Sequence, residues 1–279
     1  MQRRIELLLA DRGAATFAAL ICAALTACTS EARPLRLGTT YTVEQSGALA
    51  VLDSLTPPAP VTAIVGPSGQ ILRSAAAGDL DVVLTHAPTL EDRLLVAPGL
   101  AALQCPFVSS RFAIVGPPAD PARVAGATTA VDALRRIAAA QATFVSRGDS
   151  SGTHVKEVAL WAAAGVALTG RAWYVQSGVD QAATLHLADE RQGYALADLP
   201  TFTRIGGVNL RVLFADDSTL VNPYTLYVVQ ARTPHPAARA FGLWAPGQWR
   251  ARLLALRLPD GTAAFASRDG DCRTPAARP

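Results

Sequence analysis

The chain has 279 residues, half of them hydrophobic and 17% charged, with a net charge of +3. That length holds one large or two ordinary domains, and that balance excludes a disordered chain. The positive charge is almost all arginine, Lys156 is the single lysine, and there is no basic run or aromatic–basic interleaving, so no nucleic acid is expected as a partner.

Residues 1–27 read as a targeting signal. Arg3, Arg4 and Arg12 supply a positive start, and the apolar run from Ala14 to Ala27 is too short to span a bilayer. The run ends in Leu25-Thr26-Ala27-Cys28, which resembles the lipobox of bacterial lipoprotein signal peptides. That resemblance implies cleavage before Cys28, lipidation of Cys28 and a short tether over residues 28–34; an ordinary signal peptide is the alternative. The mature chain is then expected in the periplasm or cell envelope, lipid-anchored to the membrane. Two further cysteines, Cys105 and Cys272, remain after processing, which predicts one disulfide, with two unpaired thiols as the alternative.

From Leu35 onward, strand and helix patterns alternate. Leu35–Thr39 predicts a strand leading into the loop Thr39-Thr40-Tyr41-Thr42, and Gln45–Leu55 a helix with Ser46-Gly47 near its start. Val61–Val65 predicts a strand, Gly66-Pro67-Ser68-Gly69-Gln70 a loop, and Ile71–Ala77 a helix. Leu80–Thr85 predicts a strand ending at His86, Glu91–Val96 a short helix, and Phe112–Val115 a strand. Val131–Gln141 predicts a helix and Ala142–Val145 a strand. Further strands are expected around Trp173–Gln176, Gly193–Asp198, Val208–Phe214 and Thr225–Val229, with helices over Gln181–Asp189 and Pro236–Trp244. The tail from Gly247 reads as partly helical and then poorly ordered. Strands alternating with helices imply a parallel sheet covered on both faces, with ligands bound beyond the strands' C-terminal ends.

The stretch Ser146-Arg147-Gly148-Asp149-Ser150-Ser151-Gly152-Thr153-His154 joins a predicted strand to a predicted helix, Val155–Ala164. The first N–H groups of a helix lack internal partners and carry partial positive charge, so such a turn favours an anion. Arg147 adds a permanent forked cation, and Ser150, Ser151 and Thr153 add hydroxyl donors. A plain helix cap with a solvated arginine is the simpler alternative. The loops at Thr39–Thr42 and Ser68–Gln70 are also rich in donors, and together the three argue for one shared polar ligand. Asp149 would either repel an anion, hold Arg147, or accept a proton from the ligand; Asp180 poses the same question.

Nothing in the pattern asks for an enzyme. The four histidines show no metal-ligand spacing, and Gly66-Pro67-Ser68-Gly69-Gln70 has Gln where a nucleophile elbow has Gly. Asp149, Ser151 and His154 lie too close in one turn to form a triad by themselves.

The stretch Ser146 to His154, with Lys156-Glu157 and Leu160-Trp161 after it, closely resembles the signature of the tungstate-binding lipoproteins of ABC transporters, within the periplasmic-binding-protein superfamily. Matching pieces run in order from Leu37 to Trp244: Thr39-Thr40, Ser46-Gly47, Gly69-Gln70, Gly78-Asp79, His86, Trp173-Tyr174, Ala183-Thr184-Leu185, Tyr194, Asp198 and Asn222-Pro223-Tyr224. The resemblance implies an α/β type II periplasmic-binding-protein fold, two α/β lobes joined by two crossing strands with the ligand cleft between them. Lobe 1 would comprise residues 35–111 and 225–279, and lobe 2 residues 112–224. It implies a solute-binding protein, not an enzyme, without cofactor or metal, that captures a tetrahedral oxyanion, tungstate or molybdate. A phosphate- or sulfate-type binder and a non-transport sensor of the same fold are the alternatives. The implied ligand residues are Thr39, Thr40, Ser68, Arg147, Ser151, Thr153, Ser177 and Val179. The implied partners are ABC permease subunits, the membrane through its lipid anchor, and a small inorganic anion, with the protein a monomer. Two departures stand out: Tyr41 interrupts the first hydroxyl run, and Asp180 replaces a glycine.

Overall fold

The computed structural model describes residues 33–276; the predicted signal and the lipidation site Cys28 lie outside them. The chain runs β1 (Leu35–Thr40), α1 (Tyr41–Gln45), α2 (Ala48–Asp53), β2 (Val61–Gly66), α3 (Ser68–Ala77), β3 (Val82–Thr85) and α4 (Pro88–Glu91), which continues as a π-helical turn over Asp92–Val96. There follow β4 (Ala101–Gly116), α5 (Ala130–Ala140), β5 (Phe144–Ser146), α6 (Gly152–Ala164), β6 (Tyr174–Gln176), α7 (Gln181–Glu190), β7 (Ala195–Asp198) and α8 (Leu199–Arg204). The last elements are β8 (Arg211–Phe214), β9 (Val221–Val229), α9 (Ala238–Gly247), α10 (Trp249–Leu254) and β10 (Ala266–Ser267).

Two strands are shared by two lobes. The first half of β4 pairs antiparallel with β9 in a sheet ordered β10-β4-β9-β3-β1-β2. Its second half, Phe112 to Gly116, pairs antiparallel with β7 and β8 instead. β5 and β6 join that second lobe through a parallel bridge from Phe144 to Tyr194. The type II architecture implied by the resemblance is therefore present, but the sheets are mixed, not parallel throughout. β1, β2 and β3 are mutually parallel, β9 runs antiparallel to β3, and β4, antiparallel to β9, returns to the direction of the first three.

Each lobe has its own apolar centre. In lobe 1, Leu35, Leu37, Phe107, Phe241 and Trp249 pack together; in lobe 2, Phe144, Leu160, Trp161 and Tyr194 do. Phe144 meets Trp161 edge to face at 5.1 Å, a preferred aromatic geometry.

Several local expectations are corrected. Tyr41 and Thr42 open a helix and do not form a loop. Ser46-Gly47 separates two helices, and Gly47 takes φ +81°, a conformation that costs a Cβ-free residue little. Helix α3 begins at Ser68, earlier than Ile71. Strand β4 extends eleven residues before Phe112. Asn222-Pro223-Tyr224 lies within β9, not between strands. The tail is fastened, not loose: Cys272 is disulfide-bonded to Cys105, Arg273 exchanges backbone hydrogen bonds with Gln104, and Ala266–Ser267 pairs with β4.

Candidate functional site

The topology collects the C-terminal ends of the parallel strands at one cleft. In lobe 1, the register Thr40↔Gly66 sets the end of β1 beside the turn into α3, and β3 ends next to them at Thr85-His86. In lobe 2, the register Ser146↔Gln176 sets Arg147 beside Ser177. Crevices of this kind are where open α/β sheets bind ligands.

Arg147 dominates the lobe 2 wall. Its residue is 1% exposed. Nε donates to the Val179 carbonyl at 2.8 Å, and Nη2 donates to Asp149 in a short ion pair. Nη1 is buried and has no hydrogen-bond partner among the described residues. Burial pulls the guanidinium pKa down, and Asp149 opposes that shift. An unsatisfied buried donor of this kind costs free energy unless a further acceptor meets it.

The loop that aims Arg147 is built from short-range bonds. Gly148 has φ +61°, and a Cβ there would meet Gln176 at 2.9 Å, so glycine is required by both conformation and space. Asp149 Oδ1 accepts from the Ser151 N–H at 3.0 Å. Ser151 caps α6 by accepting from the His154 N–H, and His154 Nδ1 accepts from the Ser150 N–H. These contacts leave Asp149, Ser151 and His154 no proton relay from Ser151 through His154 to Asp149. Thr153 is buried and donates to Gln181 Oε1 at 3.3 Å.

Lobe 1 supplies the opposite wall. The Ser68 hydroxyl oxygen accepts from the Gly152 N–H at 3.1 Å, and the Gly69 N–H donates to the Ser150 carbonyl at 3.2 Å. The N-terminus of α3 therefore meets the N-terminus of α6. Gly152 allows that approach: a Cβ on it would lie 2.6 Å from the His86 ring and backbone oxygen. The Tyr41 ring centroid lies 6.0 Å from the guanidinium carbon of Arg147. Thr39 donates to the Leu84 carbonyl at 3.2 Å, and the Thr40 hydroxyl is shared with Thr42 at 2.9 Å.

The implied ligand residues thus divide in the structure. Thr39, Thr40, Ser68, Arg147, Ser151 and Thr153 are all buried around the two facing helix starts. Ser177 and Val179 stand behind Arg147: Ser177 Oγ lies 2.8 Å from Thr184 Oγ1 and donates to the Arg147 carbonyl, and Val179 offers its carbonyl to Nε while its side chain is exposed. Asp180 caps α7 by accepting from the Ala183 N–H at 2.9 Å.

The buried chain of polar groups that links the cleft to the crossing strands was not read as one unit from sequence. Thr42 Oγ1 contacts His86 Nε2 at 3.0 Å, and His86 Nδ1 contacts Asn222 Oδ1 at 2.8 Å. Asn222 Nδ2 in turn donates to Asp198 and Ser110. Burial pushes the His86 pKa down to about 4, so its ring is neutral at neutral pH. His86 and Asn222 were visible as matching positions, but only the register of β3 on β9 brings them together. Glu157, one and a half turns into α6, is buried beneath the loop and accepts from Ser146 and Tyr174.

A family model described as the PBP superfamily domain matches residues 28–246. The tungstate ABC transporter structure from Geobacter sulfurreducens is similar at 35% identity and a TM-score of 0.63, over 82% of this chain and 96% of that one. The tungstate-binding protein TupA from Desulfovibrio alaskensis G20 is similar at 30% identity and a TM-score of 0.67, over 85% of this chain and 100% of that one. A putative ABC transporter anion-binding protein of Haloferax volcanii is 40% identical over 174 residues, 60% of this chain. The chain spans about half the length of the curated relatives it matches, 49% for the Haloferax protein.

Proposed function

Because the chain belongs to the PBP superfamily, among relatives of the tungstate-binding TupA proteins, we propose that it captures a tetrahedral oxyanion, tungstate or molybdate, outside the cytoplasm and delivers it to an ABC permease. The observation that carries this reading is the buried Arg147 Nη1, a cationic donor without a hydrogen-bond partner among the described residues, in the loop that leads into one of two facing helix starts. A small dianion satisfies it and gains from both helix dipoles. Around that donor, the Ser68 and Ser151 hydroxyls accept from N–H groups and keep their protons for the anion, Thr40 adds a hydroxyl, and Thr39 and Thr153 would turn theirs from Leu84 and Gln181 to the ligand, while Ser177 and Val179 hold Arg147 in place.

The choice of anion follows from where the acceptors are spent. Asp149 accepts from Arg147 and Ser151, and Asp180 accepts from Ala183. Both oxygens of Asp149 are already engaged and Asp180 is turned to the start of α7, so the proton of hydrogen phosphate would have to compete for an acceptor, which favours a fully deprotonated dianion. An unpaired carboxylate facing such a dianion would be costly.

Among the described residues no helix is long and apolar enough to cross a membrane. We assign the anchor to lipid on Cys28, tested by metabolic palmitate labelling of the wild type and Cys28→Ala. Calorimetric titration with tungstate, molybdate, sulfate and phosphate tests the ligand. Nanomolar to micromolar binding of tungstate or molybdate with weak phosphate binding supports the reading; tight phosphate binding with no heat from either metal oxyanion refutes it.

A further inference from the structure

Glu157 is a buried carboxyl that ligand capture does not itself use. We propose that it is the positioning residue of the Arg147 loop and that it takes up a proton as the oxyanion binds; this rests on the oxyanion reading above.

The geometry ties three elements to one carboxyl. From α6, Glu157 Oε2 accepts from the Ser146 hydroxyl at 2.7 Å, at the end of β5. Oε1 accepts from the Tyr174 hydroxyl at 2.7 Å, on β6. The Arg147 backbone N–H favours the ionised form of this carboxyl. Ser146 Oγ in turn accepts from the Gly148 N–H at 3.2 Å. The carboxyl therefore fixes the residues on both sides of Arg147, at the turn where the chain leaves β5. The charged and titratable groups that face it are Tyr174 on β6 and Arg147 in the loop. Tyr174 stays neutral, its own pKa pushed above the usual tyrosine range by burial and by Glu157.

Burial pushes the Glu157 pKa up to about 7, although the three donors oppose this. A dianion arriving at Arg147 adds negative charge near a carboxyl already reluctant to ionise, and so favours its protonated form. Below pH 7 the carboxyl is already neutral and binding carries no such penalty. Above pH 7 the carboxyl must gain a proton or repel the ligand, so affinity falls as pH rises. Each unit of pKa displacement is worth a factor of ~10 in affinity.

The experiment is calorimetric titration of the full mature protein with molybdate from pH 6 to 8.5, in buffers of different ionisation enthalpy that count protons directly. Wild type is expected to weaken about three- to tenfold across the range and to take up a fraction of a proton near pH 7.5. Glu157→Gln is expected to bind with no proton uptake and a flat pH profile, an outcome that loss of packing alone would not produce. Tyr174→Phe removes one donor to the carboxylate and should move the transition to higher pH; it serves as the readout if Glu157→Gln does not fold. Wild-type binding without proton uptake, or Glu157→Gln keeping the wild-type slope, overturns this inference alone. No wild-type heat with any oxyanion overturns the oxyanion reading and this one with it.

Discussion

Arg147→Ala is the sharpest perturbation of the site. On the proposed reading the guanidinium offers Nη1 to the ligand, while Nε and Nη2 are held by Val179 and Asp149. A hydrogen bond to a charged partner contributes roughly 1.5–3 kcal/mol. The substitution also leaves the Asp149 carboxylate without its counter-ion, and its side chain is only 7% exposed. A buried charge stripped of its partner adds a cost of similar or larger size. Together these come to at least ~3 kcal/mol, a loss of ~100-fold or more in affinity. Titration calorimetry measures it, with circular dichroism to show that the fold is kept. The two contributions separate in Arg147→Ala/Asp149→Asn, which removes the orphaned carboxylate; about tenfold of the lost affinity should return if repulsion by Asp149 is part of the penalty. Arg147→Lys keeps the charge but not the fork, and should fall between wild type and alanine. A folded Arg147→Ala protein that binds the oxyanion within about threefold of wild type refutes the assignment.

Other changes probe the supports of the site. Gly152→Ala puts a methyl against the His86 ring and backbone; titration should show at least ~10-fold weaker binding, and the melting temperature should fall, because overpacking a buried contact costs roughly 1–3 kcal/mol. Asp180→Ala removes the cap of α7; thermal melts should register about 1 kcal/mol of lost stability, with affinity unchanged within threefold. Replacing Cys105 and Cys272 with alanine opens a loop of 167 residues; loop-closure entropy predicts roughly 5 kcal/mol of destabilisation and a melting temperature lower by about 10–20 °C. His86 should make stability fall with acid. Its pKa is about 4 in the fold against 6.5 for an ordinary histidine, so its contribution is complete above pH 6.5 and is lost as pH falls toward 4. That amounts to about 3 kcal/mol, and His86→Gln should flatten that part of the denaturation profile.

The strand ends that carry the site were legible because buried strands followed by hydroxyl-rich loops have a plain pattern. Leu35 to Thr40 and Phe144 to Arg147 both show it. What was hidden depends on long-range pairing. β4 was visible only over its last residues because Pro106 breaks the strand pattern in its first half, where the pairing with β9 shifts register. Asn222-Pro223-Tyr224 looked like a turn, yet β9 is held as a strand by neighbours on both sides, β3 and β4. The tail looked loose because its Gly- and Arg-rich composition says nothing of a disulfide partner far upstream. Asp149 and Asp180 were the least legible of all. A carboxylate beside an arginine can pair with it, cap a helix or face the ligand, and sequence spacing does not separate these.

Their placement explains how the proposed anion site tolerates acidic residues. Burying a lone guanidinium costs several kcal/mol, so an unliganded cleft with Arg147 alone would be strongly unfavourable. Asp149 offsets that cost through Nη2 and, by accepting from Ser151, is also turned into the loop. Because the pair uses Nη2 and Val179 uses Nε, the planar fork still leaves Nη1 directed elsewhere. The same carboxylate that would repel a dianion if it were free thus makes the buried cation affordable in its absence. On this argument Asp149→Asn should bind the oxyanion at least as tightly as wild type, yet melt at lower temperature without ligand. Weaker binding by a well-folded Asp149→Asn protein would mean that the carboxylate orients Arg147 more than it compensates its charge.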